Sequence, residues 1–153
     1  MTLRLKSSRF HRSHAPVDCA TDAIHCISGD TRNVIAIMLK RVERLFCRNN
    51  EGAVVPLKPA LTNGSICLVP VALLLVASTK FAGIDAPLGL CYRDPTRSAC
   101  DLSFRNSDEI AYFQQGTTII LIATRNYALC DDSETGATIR MGQALLADPT
   151  FKA

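Results

Sequence analysis

Apolar residues along the chain come mostly in short runs separated by turn residues, a pattern that fits strands better than long amphipathic helices. Residues 23–27 form one such run, closed by the turn Ser28-Gly29-Asp30. Residues 53–57 form another, which Pro56 and Pro59 are expected to end, because proline brings no N–H to a ladder. Asn63-Gly64 suits a tight turn, and residues 67–79 then run apolar almost without interruption, as a strand buried on both faces would. Residues 118–123 give a β-branched strand. One window differs: Val34, Ile35, Met38, Val42, Leu45 and Phe46 recur at helical spacing behind Asn33, a capping residue. Lys40, Arg41, Glu43 and Arg44 would form the wet face of that helix. Residues 80–101, with Gly83, Pro87, Gly89 and Pro95, read as loop, and residues 135–146 as two short strands joined at Gly142. No internal repeat or linker interrupts the series. The pattern predicts a mainly β, β-rich α+β fold, barrel-like or sandwich, with one short helix and a single domain over residues 1–153.

Composition narrows the function classes. A chain of 153 residues that is 48% hydrophobic can bury a core and is not a disordered segment. The net charge of +3 is scattered, tryptophan is absent and aromatic residues make up 6%, which argues against nucleic acid as a partner. Arg4, Lys6, Arg9 and Arg12 give the start of the chain a mild attraction for anionic membranes. The seven cysteines (Cys19, Cys26, Cys47, Cys67, Cys91, Cys100 and Cys130) are odd in number and include no Cys-x-x-Cys pair. They read as reduced thiols packed as small hydrophobes, with no metal site expected. Residues 1–14 lack the apolar centre of a secretory signal, and the run over 66–78 is too short to span a bilayer and contains Pro70. A cytoplasmic protein, membrane-peripheral at most, is the expectation.

Two stretches carry candidate chemistry. In Gly116-Thr117-Thr118 a glycine and two hydroxyls stand directly before an apolar run. A hydroxyl can attack the carbonyl preceding it if a base takes its proton, and Gly116 has no Cβ to obstruct the approach. The same three residues also make an ordinary turn into a strand. In Phe10-His11-Arg12-Ser13-His14-Ala15-Pro16-Val17-Asp18, two histidines stand three apart beside an arginine. Histidine titrates near neutral pH and suits general acid and base work, although solvated or structural roles are open to both. Asp18 is positioned either to orient one imidazole or to make an Asx turn.

Together these pieces resemble the phosphatidylserine decarboxylase family, whose members process themselves and work through a pyruvoyl group. The segment around His11 and His14 looks like the family's aromatic-His-Arg-x-His-x-Pro motif. Gly29-Asp30, Leu45-Phe46-Cys47-Arg48-Asn49 and Val71-Ala72-Leu73-Leu74-Leu75-Val76-Ala77-Ser78 look like its next landmarks. Asp108-Glu109-Ile110-Ala111-Tyr112-Phe113-Gln114-Gln115-Gly116-Thr117-Thr118 looks like its processing site, and Arg140-Met141-Gly142-Gln143-Ala144-Leu145 like its closing motif.

The resemblance implies a carboxy-lyase that removes CO2 from the serine head group of a phospholipid, or from a free amino acid, through a Schiff base to a self-generated 2-oxoacyl group at residue 117. Decarboxylating an amino acid leaves a carbanion, and a carbonyl conjugated to the amine is the sink that stabilises it. It further implies cleavage at Gly116-Thr117, His14 as the base for that cleavage, His11 as the group handling protons during decarboxylation, and Glu109 and Asp18 in support. A peripheral membrane contact and a homodimer follow from the same likeness.

Thr117 stands where the family has serine, so elimination would give a 2-oxobutanoyl group in place of pyruvoyl. Cys19, Ala72, Ala77 and Ala111 stand where the family has glycine, and a Cβ there would strain any position that needs positive φ. The likeness starts near Phe10, so the chain reads as an amino-terminally truncated member, without the family's upstream helices and the aspartate that orients the base histidine. The alternative reading is a non-catalytic, unprocessed relic that serves as an interaction module.

Overall fold

The computed structural model describes residues 1–4, 12–27, 52–72, 79–82, 96–113 and 117–148. They form eleven strands: β1 (Thr2–Arg4), β2 (Arg12–His14), β3 (Cys19–Ile27), β4 (Gly52–Pro59), β5 (Ile66–Ala72), β6 (Thr79–Phe81), β7 (Thr96–Phe104), β8 (Glu109–Phe113), β9 (Thr117–Ala123), β10 (Ala128–Leu129) and β11 (Leu146–Ala147). The fold is mainly β, as the run lengths predict. The helix expected over residues 34–46 lies outside the described residues, among which no helix occurs.

Six strands form one sheet in the order β1-β9-β5-β4-β3-β7, three form a second in the order β2-β8-β6, and β10 pairs with β11. All pairings are antiparallel. The alternation of the strands sends Ile24, Val55, Leu57, Leu68, Ile119 and Leu121 inward from the large sheet. They meet Ala15, Phe81, Ile110 and Ala111 of the smaller sheet and its flank in one core cluster. The two sheets therefore share a core, which fixes the small sheet against the large one.

Several local expectations change. β4 runs through Pro56 and ends with Pro59. The β3–β4 ladder shifts register between Ala20 and His25, and Pro56 lies within that break while standing opposite Cys67 of β5. β5 is buried on one face only: Ile66, Leu68 and Pro70 are buried, while Cys67, Val69 and Val71 are half-buried. The loop expected over 80–101 gives way from residue 96 to the nine-residue edge strand β7. Residues 135–145 form no strand: Gly136 and Gly142 adopt φ of 92° and 80°, values suited to turns. Ile139, Gln143 and Leu145 are half-buried and the rest of this stretch is exposed.

Candidate active site

β2 and β8 carry the residues that the sequence singles out. Arg12 stands opposite Tyr112 and Ser13 opposite Ala111, but His14 stands opposite Glu109 rather than Ile110. β8 thus holds one extra residue, a β-bulge. In a regular strand Glu109 would share a face with Ala111, which is buried. The bulge reverses that parity. Ile110 and Ala111 both enter the core, each at 1% exposure, while Glu109 comes out on the face that carries His14, Arg12 and Tyr112.

The same end of the site is tied down by backbone bonds. Ala15 N–H donates to the Asp108 carbonyl at 2.8 Å, and Ser107 N–H to the Ala15 carbonyl at 2.9 Å. Ser107 has φ of 72°, the only positive value of a non-glycine residue among those described. The backbone at Cys19, Ala72 and Ala111 therefore lacks the positive φ that would have made a Cβ there strained, while Ala77 lies outside the described residues. Asp18 accepts from Asn106 N–H at 2.7 Å through its carboxylate, and from Ala60 N–H at 2.8 Å through its carbonyl. This long-range pin between two turns replaces the Asx turn considered from sequence, and it holds the start of β3 against the turn that launches β8.

Charge organises the exposed face. The Arg12 guanidinium forms an ion pair with Glu109 and lies over the Tyr112 ring, 5.9 Å from its centroid. Half-buried His14 titrates below the usual imidazole range. Desolvation is the largest cause, the Glu109 charge opposes it, and the Arg12 charge adds to it. The imidazole is therefore neutral at pH 7, the form that can accept a proton. From sequence, Arg12 has a share of the basic charge near the start of the chain but no part in the site. Its place two residues before His14 on an extended segment, and hence on the same face, was the available signal.

Thr117 opens β9, its backbone in register with Ala72 of β5. β9 is gripped on both sides, by seven register positions with β5 and three with β1. The Met1 amino group donates to the Leu121 carbonyl at 2.8 Å and Leu121 N–H returns a bond to Met1 at 2.9 Å. A break in the chain before residue 117 would leave β9 seated in its sheet, which suits a site whose reactive group is made from that residue. His14 stands on the small sheet, and residues 114–116 connect Phe113 to Thr117. His11, Gln114, Gln115 and Gly116 lie outside the described residues. The structure thus brings together His14, Glu109 and Arg12, and sets Asp18 behind them as a structural anchor. The five described cysteines are free thiols, Cys19 and Cys26 buried. No described helix is long and apolar enough to cross a membrane.

The site is thus a bulged two-strand platform carrying a half-buried histidine, in a β protein whose strand β9 is held on both sides. The family model for phosphatidylserine decarboxylase matches residues 1–147. The chain is 26% identical to the phosphatidylserine decarboxylase proenzyme of Nitrosospira multiformis, over 97% of this chain and 53% of that protein. It is 29% identical to the proenzyme of Brevibacillus brevis, over 95% of this chain and 52% of that one. For the proenzyme of Aliivibrio fischeri the identity is 27%, over 92% and 50%. No solved structure matches significantly. The chain belongs to the phosphatidylserine decarboxylase family, and it spans about half the length of the curated relatives it matches.

Proposed function

We propose that this chain is a single catalytic domain of a self-processing decarboxylase acting on a serine phospholipid head group or on a free amino acid. Family membership supports the reaction class. Two observations support the reading: His14 stands half-buried on β2 opposite Glu109, and Thr117 opens β9, a strand held by neighbours on both sides. In the processing step the Thr117 hydroxyl attacks the Gly116 carbonyl, the C–N bond breaks and an ester forms. Elimination then expels the Gly116 carboxylate, and water releases the nitrogen as ammonia, leaving a ketone. Because residue 117 is threonine, that group is 2-oxobutanoyl. It supplies the electron sink that decarboxylation requires.

His14 takes the hydroxyl proton in the first step, and His11 handles the proton of the decarboxylation. Glu109 faces His14 across the ladder. β8 covers about 14 Å from Glu109 to Phe113, and the four steps from Phe113 to Thr117 can retrace about the same distance. A peripheral membrane contact and a homodimer belong to the same proposal.

The test is CO2 release from dispersed phosphatidylserine and from free serine, run beside chain cleavage in two variants. His14→Ala should stop cleavage. His11→Ala should cleave but not turn over. Equal loss of cleavage in both contradicts the division of labour.

A further inference from the structure

We propose that Arg12 and Glu109 are positioning residues for His14, a fixed pair of opposite charges that aims the imidazole and sets how readily it takes a proton. The inference rests on His14 being the base of the reading above. Its geometry stands on the bulge: only the extra residue in β8 turns Glu109 out of the core and sets it across from His14, where Arg12 is already waiting two residues along β2. Arg12 closes the arrangement from the other side, paired with Glu109 and placed over the Tyr112 ring. The other carboxylates nearby are spoken for. Asp108 accepts from Arg105 N–H at 2.7 Å, and Asp18 from Asn106 N–H at 2.7 Å. Glu109 and Arg12 act on the imidazole in opposite directions.

An unpaired Glu109 would draw a proton onto His14 and spoil it as a base near neutral pH. Arg12 offsets that pull while keeping the carboxylate in place. The prediction is one of opposite signs, which a merely structural role would not produce. In the full chain, the His14 ring signal, assigned with His14→Asn, is titrated by NMR in Arg12→Gln, Glu109→Gln, the double variant and Arg12→Lys. Arg12→Gln should raise the midpoint by on the order of half a unit, and Glu109→Gln should lower it by a similar amount. The double variant should return close to the parent, and Arg12→Lys should stay nearer the parent than Arg12→Gln. The pH profile of cleavage should move with each midpoint.

Unmoved midpoints, or shifts of one sign in both single variants, overturn the proposal. Opposite shifts in a chain that never cleaves leave the pair standing and remove the base assignment. Cleavage with unmoved midpoints does the reverse.

Discussion

Ile110→Ala tests the bulge on which the candidate site depends. Ile110 has 1% of its surface exposed and belongs to the cluster shared by the two sheets. It is also the extra residue that lets Glu109 face His14. Truncating a fully buried isoleucine removes its transfer free energy and leaves a cavity, together about 2–5 kcal/mol. At a slope of roughly 2 kcal/mol of stability per molar urea, the midpoint of urea unfolding should fall by about 1–2.5 M. Ile110→Val should cost only about 0.5–1.5 kcal/mol. Circular dichroism during urea titration measures both. A loss below about 1 kcal/mol for the alanine variant would mean that Ile110 does not fill the core, and the parity argument for Glu109 would go with it.

Other expectations are independent. A Cβ at Gly64 would lie 2.9 Å from Tyr127 Cζ and 2.8 Å from Asn126 Nδ2. Gly64→Ala should therefore displace the ring, disturb the 2.6 Å bond between the Thr62 and Tyr127 hydroxyls, and lower stability by about 1–3 kcal/mol, read by thermal unfolding. His14 binds its proton less readily folded than unfolded, so stability should fall as pH drops below about 6.5 and level off beneath the folded-state value. His14→Asn should flatten that slope. At the alkaline end, burial first and the Asp18 charge second push the Cys19 thiol up to about 11 from 9.0. The unfolded chain loses that proton first, so stability should decline between these two values by up to about 3 kcal/mol, and Cys19→Ala should remove the decline.

The strands with clear apolar character were legible in the sequence. Residues 53–57 and 118–123 fall inside β4 and β9. β7 was hidden because Thr96-Arg97-Ser98-Ala99-Cys100-Asp101-Leu102-Ser103-Phe104 carries few aliphatics. Its half-buried positions Ser98, Cys100, Leu102 and Phe104 alternate correctly, but two are small or polar. Its pairing with β3 decided the matter. β1 was invisible for another reason: three residues make a strand only because β9 offers an open edge to pair with. At the site, the histidine segment gave His14 as a candidate and the family resemblance added Glu109. Neither could show that they face one another, because a bulge is a matter of register and leaves no mark in periodicity. The role of Asp18 was likewise set by a partner 88 residues away.

Whether the chain cuts itself between Gly116 and Thr117 is read from the intact mass of the purified protein. Two pieces are predicted, one ending at Gly116 and one beginning at residue 117 with a ketone that blocks amino-terminal sequencing. Thr117→Ser should make the second piece lighter by one methylene. A single unbroken mass, unchanged after long incubation, would contradict self-cleavage.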